Sequence, residues 1–460
     1  NYKLTITIVR TTMRDILTLL KTATLTGLLV VNLSACTKIT GSAFPNLTSN
    51  PAVTGVDVEK IAALESRMRQ FVVEGDSMGI ATLLVHDGKV ASYTQAGVRD
   101  LLNGEPITQD SMYRIYSMSK PITGVAMMIL HEQGAFSLDD PVSKFIPEFE
   151  NLKVVKSYDL KGNVELEPLQ RQPTIRELMS HTAGFGYGIS GADPSNMQFR
   201  KKAVLASPDL QSLIDTVATI PLMHQPGTAW AYSVSVDLQG AIVERISGMS
   251  LGEFFQSKIF KPLGMVDTAF YVPAEKAERL ADVFGYHPVT KNFQALPFAE
   301  PAFNILGDIS YRKETRGMES GGGGLVSTMA DYARFCQMML NGGQLDGARI
   351  LSKKSIDLMA KNVLTDSQTI NSTGNLNGTA SQRVGFGLNF GIIMGEASEI
   401  SGYGDGSYFW GGAASTWFWI DSKNDLFFIG MVQQFPKPPP AVNPDFRKIS
   451  QQFVYDALTD

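Results

Sequence analysis

The period of the hydrophobic pattern changes in blocks along the chain. Between residues 57 and 73, Ile61, Leu64, Met68 and Val72 recur every three or four positions, the spacing of one helix face. Residues 80–85 form a mostly apolar run. Asp87-Gly88 follows, and a second run starts at Val90, the pattern of a β-hairpin. From about residue 120 to 285, helical patterns alternate with long loops. Among them, Thr174 and Glu177 form a capping box that opens a short helix. Strand-like runs return at 384–393, 416–421 and 426–432. Residues 445–458 close the chain as an amphipathic helix after Pro438-Pro439-Pro440. This order predicts an α/β fold of the α+β type. An antiparallel sheet is flanked by the terminal helices, and its middle is interrupted by an inserted helical subdomain at about 120–285.

The first 36 residues read as a signal peptide, outside the fold. Arg10, Arg14 and Lys21 accompany a short apolar core at 23–31. Leu33-Ser34-Ala35-Cys36 has the form of a bacterial lipobox, with cleavage before Cys36 and acylation of its thiol. The stretch is too short, and too interrupted by Thr and Asn, to span a bilayer well. Counting from Met13 gives a more ordinary signal length. Residues 37–55, rich in Ser, Thr, Pro, Asn and Gly, read as a flexible tether, and 56–460 as the folded domain. The expected location is the bacterial cell envelope, facing the periplasm, with a lipid at Cys36 holding the chain to a membrane. Cys336 is then the remaining thiol, so no disulfide can form within the mature chain. Its helix-period surroundings make it a core residue.

Composition narrows the function classes. The chain has 460 residues, 44% hydrophobic and 18% charged, with net charge −5. That is an ordinary globular balance, large enough for one big core or two subdomains. Mild acidity and the lack of a Lys/Arg cluster argue against nucleic-acid binding. The five histidines and two cysteines show no zinc spacing, so no metal and no cofactor are expected.

Ser117-Met118-Ser119-Lys120 carries the most chemistry. It lies between a polar turn and the apolar run 121–130, which places the serine at a helix start with Pro121 in the first turn. A lysine three residues on shares the serine's face, so Oγ and Nζ can touch. A lysine desolvated against the apolar run is a candidate base for a serine nucleophile. The spacing alone is weak evidence. Ser310-Tyr311-Arg312-Lys313 matches it too, but no apolar helix follows that copy, so it reads as loop.

Two more segments join this one. Tyr232-Ser233-Val234 follows a turn at 225–230. Trp410-Gly411-Gly412 precedes the strand that starts near Thr416. Paired glycines let backbone N–H groups approach a substrate, as an oxyanion hole requires. With Ser117-x-x-Lys120, these segments resemble the three motifs of the class C β-lactamase and D-alanyl-D-alanine peptidase superfamily. The version with Trp-Gly-Gly in third place is similar to the family VIII carboxylesterases. Segments 177–185, 261–268 and 322–328 agree, so the resemblance covers about residues 57–460.

The resemblance implies Ser117 as nucleophile, with Lys120 and Tyr232 sharing the general-base role. It implies an oxyanion hole made by the N–H groups of Ser117 and Ala413, and a substrate pocket at Val234, Trp410, Gly411 and Gly412. Two positions depart from the lactamases: Val234 stands where they have Asn, and Trp410 where they have Lys. Loss of that amide and that cation favours a neutral ester, and the expected function is a carboxylesterase on short acyl chains. A lactamase or D-alanyl peptidase acting on amides, and a non-catalytic sensor, stand as alternatives. Three other features read as structural. Ser77, in Gly75-Asp76-Ser77-Met78-Gly79, lacks the strand–turn–helix order of a nucleophile elbow. His181 reads as a packing or capping residue. The run 321–324 is followed by no Lys-Ser/Thr pair and reads as close backbone packing.

Overall fold

The computed structural model describes residues 44–458 except 160–162, 190, 288–291, 296–316, 366–383, 396–403 and 436–443. Segments from the two ends of the chain build one eight-stranded sheet. The N-terminal part supplies β1 (Gly79–His86), β2 (Lys89–Asp100) and the short β3 (Glu105–Pro106). The C-terminal part supplies β4 (Val384–Phe386), β5 (Gly391–Ile393), β6 (Tyr408–Gly411), β7 (Trp417–Asp421) and β8 (Leu426–Val432). The order is β4-β5-β6-β7-β8-β1-β2-β3, with every neighbouring pair antiparallel. The two ends meet where β1 pairs with β8, Ile80 opposite Val432 and His86 opposite Leu426.

Six helices matter for the site: α1 (Val58–Val73), α2 (Ser119–Glu132), α3 (Ile175–Met179), α4 (Ser235–Ser247), α5 (Met329–Leu340) and α6 (Phe446–Asp456). On one face of the sheet, Ile61, Leu64, Met68 and Phe71 of α1 and Phe446 and Val454 of α6 share a core with Ile80, Leu84, Trp419 and Phe428. Leu83, Phe418, Phe427 and Ile429 point to the other face, into the large core that includes α2 and α5. Both faces are covered, so all seven residues of β8 are buried, and its sequence is a continuous apolar run. Gly430 lies opposite Trp417, where a Cβ would enter the indole ring.

Local signals explain the element ends. Asp57 caps α1, its carboxylate accepting the N–H of Glu59 at 2.9 Å and of Lys60 at 3.1 Å. The Thr174–Glu177 capping box is formed in both directions. At the β1–β2 turn, Asp87 and Gly88 both have positive φ (51° and 67°), as tight hairpin turns require. Cys336 is buried in α5.

Three expectations differ from the structure. The run 384–393 is not one strand but the hairpin β4–β5, turned at Asn389 with φ 67°. Trp410-Gly411 does not merely precede a strand; it ends one, β6. The stretch read as a tether is docked over its last part. Leu47 is buried, and the Asn50 N–H donates to the Val90 carbonyl at 3.0 Å, tying this segment to β2. The lipobox with Cys36, Ser310 with Lys313, and Pro438-Pro439-Pro440 lie outside the described residues. Among the described residues, no helix is long and apolar enough to cross a membrane.

Candidate active site

The nucleophile's position is set by a short strand and a buried helix. Residues Met112–Arg114 pair antiparallel with Val326–Thr328, and the Ile115 N–H donates to the Leu325 carbonyl at 3.1 Å. A single 3-10 turn, Tyr116–Met118, then leads into α2. Ser117 sits in this turn, just ahead of the α-helix. Tyr116 has φ 43°, in the left-handed region that a bulky residue occupies only when its surroundings enforce it. The enforcement is visible. The Tyr332 hydroxyl donates to the Met118 carbonyl at 3.0 Å, and the Leu325 N–H donates to Ser119 Oγ at 3.1 Å. From Ser119 to Leu130 every residue of α2 is buried.

Two polar side chains converge on Ser117 in this turn. The Tyr232 hydroxyl donates to Ser117 Oγ at 2.7 Å, and Lys120 Nζ donates to the same oxygen at 3.2 Å. Lys120 is 1% exposed, and its ammonium has two further acceptors, the Gly322 carbonyl at 2.6 Å and the Tyr187 hydroxyl at 3.2 Å. It also lies over the Tyr232 ring, 4.6 Å from the centroid. A serine hydroxyl within hydrogen-bond reach of a lysine and a tyrosine is the arrangement of a nucleophile whose base is formed when one of the two partners gives up its proton. Tyr187 is a member that the sequence reading missed. It lies six residues after His181, two positions past the end of the 177–185 segment. Its only signal was a tyrosine in a Gly-rich segment. Burial, then the charges of Asp237 and Tyr232, raise its hydroxyl well above the usual range, so it stays protonated.

The third motif closes the site from the sheet. The Gly412 N–H donates to the Thr416 carbonyl at 2.8 Å, and the Ser415 N–H to the Gly412 carbonyl at 3.2 Å. This tight turn carries Ala413, whose N–H meets no acceptor among the described residues. Thr416 Oγ1 donates to the Ile115 carbonyl at 3.4 Å, which joins the turn to the segment just before Ser117. Gly412 is required there, because a Cβ would strike that carbonyl and the Thr416 hydroxyl.

Two expected pocket residues belong to the packing instead. Val234 has no exposed surface; it stands at the N-terminus of α4, with its N–H on the Gly186 carbonyl at 3.0 Å. Trp410 is 3% exposed and packs on Tyr232 and Phe386, with ring centroids 5.5 and 5.3 Å away. Trp410 thereby gives the Tyr232 ring apolar support, and Val234 belongs to the large core. Gly411 and Gly412 are partly exposed.

The rival candidates are accounted for by their contacts. Ser77 is 2% exposed and donates to the Gly79 carbonyl at 3.0 Å, in the turn between α1 and β1. His181 is fully buried. Its Nδ1 is 3.0 Å from Ser233 Oγ, and its ring packs 5.0 Å from Tyr232. Burial, and then the charge of Lys120, hold its imidazole well below the ordinary range, so it is neutral. The glycine run packs closely, as expected: a Cβ on Gly321 would lie 2.9 Å from the Val236 carbonyl. Among the described residues, no cluster of His, Cys, Asp and Glu could hold a metal ion.

Comparison with known proteins agrees with this geometry. The beta-lactamase family model matches residues 64–452. An uncharacterized protein of Mycobacterium tuberculosis is 31% identical over 379 residues, 81% of this chain and 90% of its own length. Lovastatin esterase of Penicillium rubens is 31% identical over 352 residues, 73% of this chain and 84% of its own. The solved structure of EstCE1, described as a hydrolase with promiscuous acyltransferase activity, superimposes with a TM-score of 0.66. It is 21% identical, with 87% of this chain and 99% of that one covered. A Ser-x-x-Lys on a helix start with its lysine buried, a tyrosine on the serine oxygen and a match along most of the chain agree, and the protein belongs to the beta-lactamase family of serine hydrolases.

Proposed function

We propose that this protein is a carboxylesterase that hydrolyses short-chain esters through an acyl intermediate on Ser117. The observation that carries the reading is the 2.7 Å contact between Tyr232 Oη and Ser117 Oγ, beside a third motif that begins with Trp410 where a lactamase has lysine. With one proton of the Tyr232–Lys120 pair already released, Ser117 Oγ attacks the ester carbonyl as its own proton passes to that pair. The N–H groups of Ser117 and Ala413 receive the oxyanion. The alcohol leaves with the proton returned through Tyr232. Water then attacks the acyl-serine by the same route, releasing the acid and restoring Ser117. Similarity to an esterase supports the choice of ester over amide.

The lost cation sets the scale of the preference. One charge-assisted hydrogen bond is worth about 1.5–3 kcal/mol, roughly ten- to hundredfold in binding. In a panel of p-nitrophenyl esters, a chromogenic cephalosporin and a D-Ala-D-Ala peptide, short-chain esters should therefore lead in kcat/KM by at least tenfold. A preference for the cephalosporin or the peptide over every ester would overturn the assignment. A second reading is acyl transfer, with an alcohol taking the place of water. Similarity to EstCE1 favours it, and the test is ester formation when a second alcohol is added to the assay. Anchoring through a lipid on Cys36 is part of the proposal and rests on the lipobox alone. Mass spectrometry of the mature N-terminus tests it, and an unmodified terminus other than Cys36 would rule it out.

A further inference from the structure

Five residues after Tyr232, in the first turn of α4, stands a carboxyl group with no exposed surface, Asp237. Its Oδ1 accepts the Ser320 hydroxyl at 2.5 Å and the Gly322 N–H at 3.1 Å, while Oδ2 has no hydrogen-bond partner among the described residues. The carboxyl group fits because position 322 is glycine; a Cβ there would sit 2.6 Å from Oδ2. The Gly322 carbonyl in turn accepts Lys120 Nζ at 2.6 Å. One residue thus receives the acid on its N–H and the lysine on its carbonyl. A buried carboxylate with an oxygen left unpaired is destabilising unless a cation is near. Burial does push the Asp237 carboxyl up, and the charge of Lys120 pulls it back.

We propose that Asp237 is a positioning residue for Lys120, fixing its ammonium through the Gly322 peptide and governing, by its own charge, how readily that lysine passes a proton to and from Ser117 and Tyr232. This inference rests on the serine-esterase reading of the same site. The titratable groups around Lys120 are Tyr187 from the loop after α3, His181 at the end of α3, Tyr232 ahead of α4 and Asp237 on α4. Tyr187 and His181 are held neutral, which leaves Asp237 as the carboxylate of the group. A carboxylate favours the charged form of a neighbouring lysine. Removing it eases loss of the lysine proton, so the acid limb of activity moves to lower pH.

The test compares wild type with Asp237→Asn, Asp237→Ser and Ser320→Ala. It reads the pH profile of kcat/KM for p-nitrophenyl butyrate and, separately, the pH profile of fluorophosphonate labelling at Ser117. In both uncharged Asp237 variants the acid limb should move down by about one to two pH units. Their kcat should fall at least tenfold, with KM changed much less. Ser320→Ala keeps the charge and should leave the limb in place. An unmoved limb in Asp237→Asn and Asp237→Ser overturns the proposal, as does an equal loss at every pH, which would mark a merely structural role. If Asp237→Asn fails to fold, Asp237→Ser reads the same shift with a smaller side chain. A wild type that takes the label but hydrolyses no ester would refute the esterase reading instead, and the labelling profile would still decide the role of Asp237.

Discussion

Replacing Tyr232 by phenylalanine removes one oxygen and leaves the ring. That oxygen meets Ser117 Oγ at 2.7 Å, while the ring keeps its neighbours His181, Tyr187, Trp230 and Trp410 at centroid distances of 5.0, 5.3, 6.2 and 5.5 Å. The Lys120 ammonium, 4.6 Å from the ring centroid, keeps that contact too. A lost neutral hydrogen bond at a partly exposed hydroxyl should cost stability about 1 kcal/mol or less, a few degrees in Tm. The kinetic loss is of another order. A positioned proton acceptor contributes roughly 10²–10⁴ in rate, or about 2.7–5.5 kcal/mol of barrier. The assay is kcat/KM for p-nitrophenyl butyrate beside a thermal melt of the same preparation. Tyr232→Phe should melt within about 3 °C of wild type and lose at least a hundredfold in kcat/KM, mostly in kcat. Activity within tenfold of wild type would show that Tyr232 does not move the serine's proton, and Lys120 would have to act alone.

Three further outcomes follow from single contacts. Gly412→Ala places a methyl group against the Ile115 carbonyl and the Thr416 hydroxyl; it should displace the turn that bears Ala413 and lower kcat by roughly 10²-fold or more, measured by ester kinetics. Ser77→Ala should leave kcat/KM unchanged and lower stability by about 1 kcal/mol in urea unfolding, because it removes only the bond to Gly79. His181 binds no proton when folded, whereas the unfolded chain binds one below the ordinary value of 6.5, so stability is present above that pH and is lost as pH falls through it. His181→Asn, which suits the positive φ of 59° at this position, should flatten the fall in Tm between pH 7 and 5.

Much of the architecture was legible because apolar periodicity and turn chemistry act locally. The helix from Asp57, the Asp87-Gly88 hairpin, the Thr174 capping box and the terminal helix each rest on residues a few positions apart. Phe71, rather than Val72, completes the buried face of α1, a detail decided by tertiary packing against Phe446. The hairpin β4–β5 was missed because Gly387 to Asn389 is a turn inside an apolar stretch, where period alone gives no break. In the site, Ser117, Lys120 and Tyr232 were named from their motifs, and the structure brings them within hydrogen-bond reach. Tyr187 and the Gly322 carbonyl were not, because they meet Lys120 from 67 and 202 positions away, and Asp237, joined to Lys120 only through the Gly322 peptide, has no spacing to reveal it either. Trp410 and Val234 were placed in the pocket from their motif positions. Whether such a residue faces ligand or core depends on neighbours that the sequence does not put side by side, and here both are buried.

The central claim is an acyl group carried on Ser117. It is tested by mixing the enzyme with a slowly turned-over ester, quenching in acid within the first turnovers, and mapping the added mass by peptide fragmentation. The expected result is one acyl group on Ser117 in wild type and none in Ser117→Ala, which should also lose ester turnover. An adduct on Ser77 or on any other residue, or ester hydrolysis by Ser117→Ala at the wild-type rate, would contradict it.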